Sequence, residues 1–105
     1  MGTWVYLTII LGAATPASAD DSPTLKLGRH LARECSTCHR VDGVDSGIPS
    51  ITGWPADVFI ETMGYYRSGT RPNQAMVSVA QSLTDEDIRA LALYYGSLAK
   101  PKRPR

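Results

Sequence analysis

The stretch ECSTCHR, residues 34–40, restricts this chain more than any other part of it. It holds both cysteines, Cys35 and Cys38, two residues apart, with His39 directly behind the second. Four chemistries use cysteines at that spacing. A thioredoxin-like redox pair belongs in a βαβ unit, and the chain carries no alternating strand pattern. A structural zinc site needs four ligands; only His30 is left as a fourth, on the same short helix and too close for the usual finger spacing. A disulfide would close a very small loop and stabilise little, although export would permit one. The fourth chemistry is covalent haem attachment, for which Cys-x-x-Cys-His is the signature. Two thiols add across the two vinyl groups of one porphyrin, and the adjacent histidine supplies the proximal imidazole.

Size favours the haem reading. With 105 residues and a formal net charge of +1, the chain is one domain at most, and nothing drives it globally toward nucleic acid or membranes. The apolar run WVYLTIILGAA is too short to span a bilayer. It precedes TPASA, where Ala17 and Ala19 have the spacing of an A-x-A cleavage site. No Lys or Arg stands before the run, so an uncleaved anchor is the alternative. The expected organisation is a signal peptide at 1–19, a domain at 20–99, and a basic tail, KPKRPR, at 100–105. A domain that small buries a limited core and often needs a covalent or metal staple.

The expected elements are all helical. Ser22 and Pro23 open a first helix as N-cap and first helical residue, with Leu27, Gly28, Leu31 and Ala32 on one apolar face. Residues 40–54 read as a glycine-rich loop. Pro55 opens a second helix with Phe59, Met63 and Tyr66 on one side, and Gly69 closes it. AMVSVAQS suits a short helix. Thr84 caps the last helix, Asp87 stands at the capping-box position, and Asp85, Glu86 and Asp87 suit a helix N-terminus. Ile88, Leu91, Ala92, Tyr95 and Leu98 form its apolar stripe. Loops so long in so small a domain need something to wrap around, and a haem supplies it.

The sixth position of a haem iron decides its use. An open site binds gases or activates oxygen; a methionine thioether builds an electron-transfer site and raises the potential. Met63, beside Phe59 and Tyr66, reads as core. Met76 follows a proline-containing loop after which the chain can cross to the other haem face, and it is the candidate ligand.

The order of these segments, CSTCH, GIPSITG, FIETMGYYRSGTR, an isolated Met and LTDEDIRALALYYGSL, resembles class I cytochrome c from about Leu25 to Leu98. It is most similar to small bacterial carriers that form single halves of dihaem periplasmic cytochromes, and to the haem domain of flavocytochrome c sulfide dehydrogenases. The resemblance implies an all-α class I cytochrome c fold, with three to four helices and long loops around one covalently bound haem c. It also implies haem-binding Cys35, Cys38, His39 and Met76, with His39 and Met76 on the iron. Pro49 would lie on the proximal side, its carbonyl or a neighbour's accepting the His39 ring N–H, a bond that fixes the tautomer. Gly28 would mark the crossing of the first and last helices, near Tyr94 or Tyr95. Arg40 stands where the family commonly has glycine, and Trp54 where many members have a polar residue.

The chain therefore reads as a periplasmic electron carrier rather than an enzyme. Its partners are redox proteins, such as a flavoprotein dehydrogenase subunit or a terminal oxidase; no nucleic acid and no stable membrane insertion after signal cleavage are expected. The alternative is the haem subunit of a larger oxidoreductase such as a flavocytochrome c sulfide dehydrogenase. A third reading, an enzyme or sensor with an open iron site, requires that Met76 not be a ligand. Trp54, Tyr65, Tyr66, Arg67 and Arg71 are candidates to reach the haem propionates, with no means of choosing among them. His30 reads as a solvated helix residue.

Overall fold

A computed structural model describes residues 1–14, 22–42 and 47–100. The cleavage-site residues Ala17 and Ala19, residues 43–46 of the glycine-rich loop, and the tail beyond Lys100 lie outside the described residues. Among the described residues there are four helices and no strand. They are α1 (Pro23–Cys35), α2 (Ala56–Ser68), α3 (Gln74–Ser82) and α4 (Asp85–Ser97). The all-α expectation holds, and the short AMVSVAQS segment is a helix in its own right.

The helix ends lie where local chemistry puts them. Ser22 Oγ accepts from the Leu25 N–H at 3.1 Å, and Pro23 occupies the first turn, where its missing N–H costs nothing. Gly69 ends α2 in the left-handed region (φ 78°), which an L side chain rarely adopts. The capping box of α4 is complete: Thr84 Oγ1 accepts from the Asp87 N–H at 3.1 Å, and Asp87 Oδ2 accepts from the Thr84 N–H at 3.0 Å. Asp87 thus does what Glu or Gln usually does there.

The core is built on α4. Tyr95 and Leu91 are its largest fully buried side chains, with Ile88, Ala90 and Ala92 buried beside them. Helix α1 lies across α4, and α2 packs on both α3 and α4. The crossing of α1 and α4 is set by Gly28. A Cβ there would stand 2.1 Å from the Ala90 carbonyl oxygen and 2.8 Å from Tyr94 Cβ, so the backbones meet where only glycine fits. The contact is made by Ala90 and Tyr94, the first of the two tyrosines expected there. Ala90, which is off the expected stripe, is fully buried beneath this contact, and Leu98, at the C-cap of α4, is half-buried.

The first helix also turns slightly from its expected face. Leu25, Gly28 and Ala32 are buried, whereas Leu27 and Leu31 are half-buried. Spacings of three and four place the buried trio on α4, and Leu31, at the edge of the core, also lines a cavity. On the opposite side of the core, Phe59 of α2 stacks on Tyr95 with ring centroids 5.9 Å apart. At the far end of α2, the Arg67 guanidinium pairs with Asp85 and donates to the Leu83 carbonyl at 2.9 Å. It clamps α2 to the α3–α4 junction.

Candidate functional site

The motif folds as the sequence around it dictates. Helix α1 ends at Cys35, and the chain turns tightly: the Cys38 and His39 N–H groups both donate to the Cys35 carbonyl, at 3.1 and 2.8 Å. The turn gathers Cys35, Cys38 and His39 onto one wall of a cavity of about 330 Å³. That volume lies in the range of ligand sites. The sulfurs are not bridged to each other. Burial pushes the Cys35 thiol above its ordinary value and the Glu34 charge adds to this, although a hydrogen bond with the Tyr95 hydroxyl works the other way. Burial likewise pushes Tyr95 up, to about 12, so its hydroxyl stays neutral, 3.3 Å from Ser36 Oγ.

His39 Nδ1 lies 2.6 Å from the Pro49 carbonyl oxygen. A carbonyl only accepts, so Nδ1 carries the proton and donates it, and Nε2 keeps the lone pair that a metal needs. The expected proximal bond is thus formed, and from Pro49 itself.

The rest of the wall comes from the loop at 47–54, from α2 and from α3. Ile51, Trp54, Phe59, Met63, Tyr66, Met76 and Val79 give it an apolar surface. Both interior methionines face the cavity. Met63 was expected to be core, and it is, at 5% exposure in the same cluster as Phe59 and Tyr95; it also lines the cavity, which spacing alone did not suggest. Met76 is half-buried in the first turn of α3. Its N–H donates to Asn73 Oδ1 at 3.0 Å. Asn73 was not singled out from sequence, yet an Asn just before a helical segment is an ordinary N-cap signal.

Of the side chains proposed near the propionates, Trp54, Tyr66 and Arg71 line the cavity, whereas Tyr65 and Arg67 do not. Tyr65 is exposed and donates to Glu61, and Arg67 is held by Asp85 and Leu83. His30 is exposed on α1 and is not part of the wall. Arg40, beside the motif, pairs with Asp42.

The donor set fits a haem c. Two unbridged thiols and an imidazole with its Nδ1 already engaged share one wall, the rest of the lining is mainly apolar, and thioether side chains are available.

No protein-family model matches the chain. Individual proteins do. It is 30% identical over 106 residues to a thiosulfate dehydrogenase electron acceptor of Thiomonas intermedia, covering 95% of this chain and 46% of that protein. It is 34% identical over 74 residues to the cytochrome subunit of sulfide dehydrogenase of Chlorobaculum tepidum, covering 70% of this chain and 67% of that subunit. With cytochrome c-554(548) of Halomonas halodenitrificans it shares 38% identity over 68 residues, 60% of this chain and 82% of that protein. The chain spans about half the length of the first of these relatives and two thirds of the second.

Proposed function

The chain belongs to the cytochrome c family as a small class I monohaem member, an electron carrier with covalently bound haem c, and on that premise we propose that His39 and Met76 would hold the haem iron. Cys35 and Cys38 would hold the haem through two thioether bonds. The haem supplies an iron that cycles between two oxidation states.

The protein's residues hold everything else still. The Pro49 carbonyl fixes the His39 ring and its tautomer. Asn73 fixes the backbone of Met76. Phe59 and Ile51 give the cavity a buried apolar wall. A site whose ligands need not move between oxidation states exchanges electrons quickly. The observation that carries this reading is the Nδ1–Pro49 bond on the same wall as two unbridged thiols.

An optical spectrum of the purified protein tests it. The oxidised form is expected to show the weak far-red charge-transfer band of Met–iron ligation, and a pyridine assay to report two thioether links. Met76→Ala should abolish that band, lower the midpoint potential and admit carbon monoxide. Met63→Leu, a volume-conserving swap in a packed core, should do none of this. The reverse pattern would transfer the ligand role to Met63 and overturn the assignment of Met76.

We also propose export to the periplasm through a leader at 1–19, with a domain at 20–99 and a basic tail at 100–105. One feature supports the leader: the apolar residues of 4–11 lie exposed and outside the helical core. N-terminal sequencing of the mature protein should begin at Asp20.

The partners proposed are redox proteins: a dehydrogenase subunit as donor and an oxidase as acceptor. The name of the Chlorobaculum relative, a cytochrome subunit of sulfide dehydrogenase, favours a second reading, a haem subunit held in a sulfur-compound dehydrogenase. Co-purification of a flavoprotein at fixed stoichiometry would establish that reading; a monomer that purifies alone would establish the free carrier.

A further inference from the structure

Arg67 and Arg71 stand one helical turn apart in sequence and are equivalent by composition, and the structure gives them different work. Arg67 is held by Asp85 and the Leu83 carbonyl. Arg71 lines the cavity, and its guanidinium carbon sits 4.9 Å from the centre of the Tyr66 ring. Among the described residues it is the only Lys or Arg on the cavity wall, and no described carboxylate pairs with it. Glu34 lines the same cavity without forming an ion pair to it.

A guanidinium stacked on an aromatic face uses its π surface for that contact and leaves its in-plane N–H groups free to grip a carboxylate through two parallel bonds. A haem c carries two carboxylates, and one turned toward an apolar wall without a cation would be costly. The backbone beside Arg71 is also tied down. Its N–H donates to the Tyr65 carbonyl at 3.2 Å, and its carbonyl accepts from the Asn73 N–H at 3.0 Å. Asn73 in turn holds the Met76 amide.

We propose that Arg71, seated on the Tyr66 ring, binds a haem propionate and thereby anchors segment 71–76, which carries Met76, to the cofactor. The proposal rests on the haem reading above. It selects Arg71 from a group among which the sequence could not choose, and gives Tyr66 the role of a shelf that positions the guanidinium.

The test uses purified haem-loaded protein: wild type, Arg71→Gln, Arg71→Lys and Arg67→Gln. Resonance Raman reads the propionate bending modes, and a redox titration reads the midpoint potential. Arg71→Gln should shift a propionate mode and lower the potential, because losing a nearby positive charge favours the oxidised iron. Arg71→Lys should restore most of the potential, since the charge stays, but not the wild-type mode, since one ammonium cannot grip in a bidentate way. Arg67→Gln should leave the mode in place and lower the melting temperature. Should Arg71→Gln fail to mature, Arg71→Lys carries the test alone: an unshifted mode overturns the assignment. A mode that moves in Arg67→Gln instead also overturns it. A wild-type protein without any haem spectrum overturns the haem reading and this proposal together. A normal haem spectrum with unchanged modes in Arg71→Gln overturns this proposal only.

Discussion

The two halves of the core are finished differently. Where α1 crosses α4, protein meets protein: Gly28 lies on the Ala90 carbonyl, and Leu91 and Tyr95 are sealed at 1% and 0% exposure. Where α2 and α3 face the motif turn, apolar side chains border a cavity, and Tyr66, Met76 and Leu83 stay half-buried. The first region is complete in the chain's own side chains. The second is a wall shaped for a cofactor, and it reaches interior packing density only with that cofactor as the missing layer.

The largest effect should come from removing the second region's partner. Cys35→Ala with Cys38→Ala should give mostly apoprotein with much of its helix signal lost in circular dichroism. If the double variant keeps wild-type helix content, the α1–α4 crossing is self-sufficient and the contrast between the halves collapses.

A smaller effect should follow from disturbing the crossing itself. Helix propensity alone would have Gly28→Ala stabilise by about 1 kcal/mol. With Ala90's carbonyl 2.1 Å from the new Cβ, overpacking should reverse the sign, at a cost of about 1–3 kcal/mol. Gly28→Val should cost more and should weaken the far-red Met–iron band as well, because α4 follows directly on the segment that carries Met76. Denaturant unfolding of both variants measures this, and a stabilised Gly28→Ala protein would show that the helices do not meet there.

Next comes the cap of the helix the two regions share. Thr84→Ala removes the bond to the Asp87 N–H and should cost about 1 kcal/mol. Asp87→Ala on the Thr84→Ala background should cost little more, since the box acts as a unit. Additive losses in that double-mutant cycle would show the two bonds to be independent.

The smallest effect is electrostatic. The hydrogen bond and charge of Arg67 hold Asp85 below its ordinary value of 3.8. A depressed carboxylate contributes stability above its unfolded value and loses it as pH falls through the folded one. The clamp should therefore be fully present at neutral pH and fade only in acid below about 3.8. Because the pair is solvent-exposed, salt should screen it. Asp85→Asn should flatten that part of the acid unfolding curve while leaving the haem spectrum unchanged; a spectral change would mean the clamp reaches the second region.

Much of this molecule is written locally. Ser22–Pro23, Gly69 and the Thr84–Asp87 pair set helix ends through bonds that span three or four residues, so reading neighbours suffices. Gly28 was legible because a glycine inside a helix costs stability and asks for a reason. The His39–Pro49 bond came from a family resemblance and spans a loop of ten residues. Asn73, by contrast, carried an N-cap signal that went unread.

The sequence by itself determined that two thiols and an imidazole would stand together, since a tight turn leaves them nowhere else to go. It also determined that helices would have to surround them, because the periodicity and caps permit little else. Only the tertiary structure decided which wall each side chain joins. Arg67 and Arg71 have the same chemistry and nearly the same neighbours. One reaches Asp85, 18 residues on, and the other lies over Tyr66 at the cavity. Met63 likewise proved to be both core and cavity wall. The physical reason is that helical spacing fixes which residues share a face, whereas the surface that face meets is fixed by contacts between segments far apart in the chain.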